Sequence, residues 1–574
     1  MRRATSKKVL RAAGLALAAL LLPACAGLPT TGGVSVGLEL GESTQDLDFL
    51  PVASGPIEGA GPEEIVEGFL EAGITTSDNW ATAREFLAPA LQRTWRPAAG
   101  VSIDLGTDTR TISSTVPVEE VEDADSAEVQ VLLDLVASVD ESGAYSDALG
   151  ASTMPFALER MEDGEWRITE ALDGVVIDAP RFATVFQGYP LQYFDLAWSR
   201  LVPDMRWFPR RLSPATTVTQ ALIGGAPSEW LEPAVQNAFP ADVQLAQDAV
   251  PVVGQVAEVA LTRPAADLDE TTLSRMRTQL QATLKAAGVA VTRVQFTVDG
   301  RSLDAAVADV VEPTAEIGSL VLQDGDFGRI VGDEIVPVAD ISAQIDAIEE
   351  PIVSIDVAAD DSRAAVQLGD GHVYTVHDDR RDEVDARPGL IEPSLDPWGY
   401  TWSVPEGEPS AVQASGSDPD VAPLAVANAW PTASAVSDLR VSADGARVAA
   451  VVAVGKQRWV VVAAVIRDSA GAPIELGDAK QVTQLTEPAT SLVWLGPDRL
   501  GVLIGPTSPR LLTQMVGGPG SAEAAPSDAV SVAGARTSAG VRILGASGQL
   551  FAHAGSAWRE VASGISVLGT RAGE

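Results

Sequence analysis

One cysteine and three histidines are all the thiol and imidazole chemistry that this 574-residue chain holds. A single thiol forms no internal disulfide, and His372, His377 and His553 do not make a zinc cluster. His372 and His377 flank residues 373–376, and at that spacing on a strand they face opposite sides, which argues against a shared ion. Basic residues are also scarce, 39 Lys and Arg against 79 Asp and Glu, for a net charge of −40. That balance argues against nucleic acid or an anionic lipid surface as partner, although much of it follows from an Ala- and Asp-rich composition. There is no Gly-x-Ser-x-Gly elbow, no phosphate loop and no His-Glu-x-x-His. Asp326-Phe327-Gly328 spells a magnesium motif of kinases, but it sits among turns of an all-β stretch with no catalytic loop before it. Asp123, Asp125 and Glu128 lack the glycine and distant glutamate of a calcium loop. No metal, no cofactor and no catalytic set is expected. Paired carboxylates for glycoside cleavage remain untested by sequence, because their spacing is three-dimensional.

Long apolar runs are missing too, with one exception. Residues 448–454 and 459–466 are strand-length, whereas residues 12–22 form an apolar run behind Arg2, Arg3, Lys7, Lys8 and Arg11. That run is too short for an ordinary membrane span and has the layout of an export signal. It ends in Leu22-Pro23-Ala24-Cys25, which resembles the lipobox cut by lipoprotein signal peptidase. The resemblance implies a leader over residues 1–24, a diacylglycerol thioether on Cys25 and a protein held to the outer face of the cell membrane. Each buried methylene contributes about 0.8 kcal/mol, so two or three acyl chains anchor durably. Loss of five basic residues with the leader takes the charge from −40 to −45. Residues 25–58, rich in Gly, Pro and Ser, read as a flexible tether spanning roughly 30 Å.

The remaining chain is too long for one core, and its patterns change twice. Over residues 59–180, Pro62-Glu63-Glu64 opens a helix with Ile65, Phe69 and Leu70 on one face. A second helical stretch follows from Trp80 to Trp95, interrupted at Pro89 and stopped by Pro97. Strands are expected at 101–105, 109–116 and 127–139, then a hairpin of 156–161 and 166–170 around Asp163-Gly164. Helices before a curved antiparallel sheet resemble the cone-shaped α+β fold of the nuclear-transport-factor-2 superfamily. Residues 181–312 mix strand and helix: strands at 201–209, 256–261 and 289–298, and helices at 215–223 and along the stripe Leu273, Met276, Leu280 and Leu284. That order resembles the α/β GerMN domain. Beyond residue 315 helical periodicity disappears. A degenerate strand–turn–strand unit recurs at 353–366, 394–404, 441–449 and 492–502, with Asp361, Asp396, Asp444 and Asp498 at the turns. Spacing near 40–50 residues suits the blades of a propeller, roughly five to seven of them; a β-sandwich is the alternative. Residues 405–427 and 517–529 are expected to be long loops.

Aromatic residues are few, but Tyr189, Tyr193, Phe194, Trp198, Trp207 and Phe208 cluster at the start of the middle domain. They suit either a core with an interdomain seam or a binding groove that uses Tyr189, Tyr193, Trp198, Trp207 and Phe208 as flat contact surfaces. The order of lipobox, first α+β domain, GerMN-like middle and degenerate propeller resembles the LpqB lipoproteins of actinobacteria. The local carriers are Leu22-Pro23-Ala24-Cys25, the 156–168 hairpin, residues 201–209 and Gly445-Ala446-Arg447-Val448-Ala449. The resemblance implies a non-enzymatic accessory of an MtrA–MtrB type two-component system, touching the extracytoplasmic domain of the membrane sensor histidine kinase. Two other functions stay open: a receptor for a cell-wall fragment or small solute, and a wall-acting hydrolase. The anchor is tested directly by Cys25→Ser. The exported variant is expected to leave the membrane fraction after a salt wash, while substitutions in the folded domains do not release the protein.

Overall fold

Pro62 at the first turn and the acids behind it start the first helix as expected. Glu64 accepts from the Gly61 N–H at 2.9 Å, folding back on the residue that precedes Pro62–Ala72. The computed structural model describes residues 53–574 apart from 211–212, 312–317, 333, 340, 378–379, 536–537, 556 and 573–574. Cys25, with Leu22, Pro23 and Ala24, and the tether up to residue 52 lie outside the described residues. The helix buries Ile65, Val66, Phe69 and Leu70 against a sheet whose long strands, Ser126–Asp140 and Tyr145–Arg160, pair antiparallel. Gly68 lets it approach: a Cβ there would lie 2.5 Å from the Phe86 ring. The second helical stretch is split around Pro89 into two single turns, Ala81–Arg84 and Leu91–Thr94, shorter than expected. Between them the backbone before Pro89 joins the sheet, with Ala88 N–H donating to Ile168 O at 2.8 Å and Ile168 N–H donating to Phe86 O at 2.9 Å. Proline cannot extend a helix, and the sheet edge takes the freed groups. The strand Tyr145–Arg160 begins well before the expected 156, because Gly150-Ala151-Ser152-Thr153 carries too little alternation to be read.

In the middle region, Asp269 caps Glu270–Ala286 by accepting from Thr272 N–H at 2.8 Å. The stripe Leu273, Met276, Leu280 and Leu284 is buried, as its periodicity requires. This helix joins the parallel strands Val256–Ala260 and Arg293–Val298, which lie at the centre of a four-stranded sheet.

The last region is a ring of blades, four-stranded except for the five-stranded third, and the recurring unit is the inner hairpin of each of four consecutive blades. Blades 2 to 5 occupy residues 394–425, 435–485, 489–524 and 529–562. Blades 1 and 6 are fused in one eight-stranded sheet. There the C-terminal strand Ile565–Arg571 pairs antiparallel with Ser319–Gln323 and parallel with Ile352–Val357. The last strand is therefore the inner strand of blade 6, whose other three strands come from residues 319–336. The innermost strands touch in succession around the circle, which makes six blades and a closed ring. The expected loops 405–427 and 517–529 carry outer strands, Gln413–Ser415, Leu424–Ala425 and Gly520–Ala524. They are only two to five residues long and rich in Ser, Ala and Gly, so no alternation marks them.

A buried polar belt ties the inner strands of blades 1 to 5 in succession and joins blade 6 to blade 1. Asp356 accepts from Leu395 N–H at 2.7 Å, and Ser394 from Val441 N–H at 3.1 Å. Asp438 accepts from Leu492 N–H at 2.7 Å, and Ser491 from Val532 N–H at 3.3 Å. Thr570 donates to Asp356 at 2.7 Å across the closure. Arg440 adds to the belt by donating to Pro393 O and Leu492 O, both at 3.1 Å, and to Glu392. Burial pushes the Asp356 and Asp438 carboxyls upward, and Arg440 opposes the rise. Closure predicts a large effect from a small change: Leu568→Ala should cost about 2–5 kcal/mol in urea unfolding. Val561→Ala on the outer strand of blade 5, 47% exposed, should stay within about 0.5 kcal/mol.

Candidate functional site

The three regions meet around a ribbon, Phe186–Asp195 paired with Leu201–Pro209 in the register Gly188↔Trp207 and Tyr189↔Arg206, with the short strand Val235–Gln236 added along Phe194 and Asp195. Side chains alternate across a ribbon, so it has two different faces. One sends Phe186, Met205 and Trp207 into the core of the first domain. Trp207 also donates its indole N–H to Gly517 O in blade 4 at 2.8 Å. The other sends Tyr189, Leu191, Tyr193 and Val202 into the core of the middle domain.

Charges are buried where these faces converge. Asp204 and Arg206 pair at 2.7 Å and are each 3% exposed. Asp204 also accepts from Ser228 N–H at 2.8 Å and from its hydroxyl at 2.7 Å. Arg206 reaches Ala226 O at 3.1 Å and Ser142 O of the first domain at 3.3 Å. Burying an ion pair costs several kcal/mol per ion unless the remaining donors and acceptors are met, and here they are. Lys480 of blade 3 donates to Tyr145 O at 2.9 Å. Burial pushes its pKa down, while Asp204 and Asp147 oppose the fall. Burial lifts the Asp147 carboxyl to about 6, with Lys480 pulling the other way.

A second seam joins the middle domain to the propeller. Trp398, in the turn of blade 2, lies between the guanidiniums of Arg467 at 4.1 Å and Arg200 at 4.5 Å. Gly445, with φ +66°, and Gly471 let the ring in; a Cβ on Gly445 would come within 2.0 Å of it. Asp195, Leu196, Trp398, Arg467 and Ser469 border a cleft of about 270 Å³ along this seam.

The aromatic cluster is thus a core and a seam, and the groove expected from Tyr189, Tyr193, Trp198, Trp207 and Phe208 is not formed. Tyr189, Tyr193 and Trp207 are buried, on opposite faces of one ribbon. Residues on opposite faces cannot line one groove. Burial alone raises the Tyr189 hydroxyl pKa, and dominates the rise at Tyr193. Trp198 is half-buried under Arg275 at 4.1 Å, and Phe208 stacks on Tyr189 at 6.5 Å. The contacts that join the domains, Arg206 to Ser142, Trp398 to Arg200 and Lys480 to Tyr145, carry no local sequence signal, because each partner is remote in the chain. Each histidine is paired with an acid on its own sheet or the next: His372 with Glu383 at 3.1 Å, His377 with Asp382 at 3.2 Å, His553 with Glu523 at 2.9 Å. Among the described residues no three His, Cys, Asp or Glu side chains are grouped to hold a metal.

Comparison with known proteins follows the same three regions. Residues 55–183 match the family model of the LpqB N-terminal domain, and residues 318–567 that of the LpqB β-propeller domain. The chain belongs to the LpqB lipoprotein family. Between these two matches, residues 193–304 match the sporulation and spore germination model, Germane. The LpqB of Bifidobacterium longum is 31% identical over 334 residues, 56% of each chain, so that match spans little more than half of the relative's length. Those of Nocardia farcinica and Streptomyces coelicolor are each 26% identical, over 85% and 84% of this chain and 84% of their own. The tandem GerMN domains of Bacillus subtilis GerM align over 33% of this chain and 59% of that one, with 12% identity and a TM-score of 0.18.

The Asp147 carboxyl at the LpqB junction gives a pH test. Its folded pKa of about 6 lies above the 3.8 of an unperturbed aspartate, so the folded state holds the extra proton between those values. Its contribution to stability is therefore complete below pH 4 and is lost as pH rises to about 6. Asp147→Asn should flatten that part of the stability profile, and Lys480→Met should move the Asp147 midpoint higher. NMR titration of the carboxyl carbon and thermal melts from pH 4 to 8 check both.

Proposed function

We propose that this LpqB-family chain is a lipid-anchored, non-enzymatic accessory that binds the extracytoplasmic domain of an MtrA–MtrB type sensor histidine kinase. The carrying observation is the joined architecture: Arg206, Trp207, Lys480 and Trp398 bind three sheets to one another through buried contacts. All described residues fall within one compact unit. A body fixed in this way presents broad, pre-organised faces, which suits protein recognition because little ordering is left for the encounter. Lipidation at Cys25 supplies the anchor in this reading. No helix of the described residues is long and apolar enough to cross a membrane. The reading places the protein on the outer face, with a tether over 25–58. It divides the body into a nuclear-transport-factor-2-like domain at 59–180, a GerMN-like domain at 181–312 and the propeller from 315.

The test is binding of the purified chain to the sensor's extracytoplasmic domain, with phosphorylation of the cognate regulator measured in cells. Binding should weaken several-fold as salt rises, because a −40 chain steers a basic surface by screened attraction. Trp398→Ala, which loosens the seam, should weaken it further. Absence of binding, together with normal regulator phosphorylation in a deletion strain, would reject the proposal.

A further inference from the structure

The long strand Tyr145–Arg160 has a neighbour along the whole of one side, Ser126–Asp140, and only at the two ends of the other. At its start Gly143 O accepts from Trp207 N–H at 2.8 Å and Tyr145 O from Lys480 at 2.9 Å. At its end Trp166–Glu170 pairs with residues 157–160. No strand among the described residues covers the stretch between. The pairing fixes what that gap exposes. Arg160 N–H donates to Asp125 O at 3.0 Å, and the register with Ser126–Asp140 holds without a shift from Glu159 back to Gly150. Bonding alternates along an antiparallel ladder. Residues 152, 154 and 156 are therefore bonded to that strand, while 151, 153 and 155 turn their backbone groups outward. Ala151, Thr153 and Pro155 are exposed, and none of these outward groups bonds to another described residue.

Two features separate this gap from the other sheet margins. Residues 148–158 carry no charge, whereas the outer strands of blades 1, 4 and 5 include Arg380, Glu523 and Arg559. Charge on an edge is a common guard against a further strand, and here it is missing. Pro155 has no N–H to offer, but its carbonyl still accepts, as a proline at a sheet edge does. The second feature is the set of side chains around the gap. Thr153 shares its face with Leu132, which is 43% exposed. Half-buried Met154 lies on the other face, in the wall of a cavity of about 180 Å³ that Leu172 also borders. Glu128, Asp134 and Glu159 stand exposed nearby, while Arg160, the strand's one base, donates to Ala124 O and Val121 O.

We infer that the edge at Ala151–Pro155 takes one extended segment of a protein partner as an added strand, apolar at alternate positions and basic at its ends. The added backbone bonds Ala151 and Thr153 through N–H and C=O, and Pro155 through C=O, which supplies affinity independent of side chains. Apolar side chains of the segment pack on Met154 and Leu132, and its Lys or Arg groups meet the acids. A second copy of this chain fits less well. The gap is closed at both ends, so it admits a single strand and not a sheet behind it, and two chains of charge −40 repel. The inference goes beyond the sensor-kinase reading and holds whatever protein supplies the segment.

The experiment uses the full-length protein in detergent and a fluorescein-labelled peptide, Lys-Val-Thr-Val-Thr-Val-Lys, followed by fluorescence anisotropy. Controls are the same peptide with Glu at both ends and a form N-methylated on alternate amides. The Lys peptide should bind about tenfold more tightly than either, and deuterium exchange at Ala151 and Thr153 should slow when it binds. Thr153→Pro removes an outward N–H and leaves the bonds to Ser126–Asp140 intact. It should weaken binding about fivefold or more, whereas Thr153→Ser should not. Thr153→Lys, an exposed change, tests the same edge through charge and should weaken binding several-fold. No measurable binding of the Lys peptide, equal binding of the N-methylated form, or binding unaffected by both Thr153→Pro and Thr153→Lys would overturn the inference. So would a dimer of the free protein that Thr153→Pro dissolves, because the edge would then belong to a second copy.

Discussion

The insertion of Ile565–Arg571 between Ser319–Gln323 and Ile352–Val357 is the constraint on which the propeller depends. The inner strands of blades 1 to 4 each offer a polar side chain to a backbone donor on the next blade, and Thr570 of blade 6 bonds Asp356 of blade 1 across the closure. An open ring would leave one such pair unmet and expose two sheet edges. Placing the last strand of the chain inside the first blade-sized sheet removes that break and links ends that lie far apart in sequence. Asp356 shows the consequence most clearly: it accepts from blade 2 through Leu395 and from blade 6 through Thr570. Arg571 extends the closure by reaching Asp361 at 2.7 Å and Ala358 O at 3.3 Å.

A rigid ring then allows the other domains to dock by charge and shape. The Asp204–Arg206 pair would be unfavourable in a mobile interface, because its desolvation is offset only while Ser228, Ala226 and Ser142 hold their places. Trp398 makes the same point for the second seam. Its ring is admitted by two glycines and flanked by cations from two different domains. In the proposed reading, recognition rests on surfaces whose relative positions are set by buried contacts.

Much of the fold was legible where a single element carries its own signal. Leu273, Met276, Leu280 and Leu284 recur at helical spacing, and Asp163-Gly164 marks a hairpin turn. The Asp361, Asp396, Asp444 and Asp498 turns repeat at blade-like intervals. Elements that rest on a neighbour were not legible. Tyr145–Arg160 is held along its length by Ser126–Asp140, so its Gly150–Thr153 stretch needed no pattern of its own. The outer strands of blades 2 and 4 were read as loops for the same reason. For the aromatic cluster the sequence left a core with a seam and a groove both open, and the pleat of the ribbon, which sends the rings to opposite sides, decided for the core and seam.

What the sequence determined by itself is local and compositional: one thiol after a lipobox-like run, an acidic chain, helix caps and stripes, and a repeat of blade length. These depend on residues within a few turns of each other, so order alone carries them. Tertiary structure decided the rest: six blades, the closing strand, the buried Asp204–Arg206 pair and the clamped Trp398. Each of these depends on groups brought together from distant parts of the chain, where no spacing in the sequence can reveal which donor meets which acceptor.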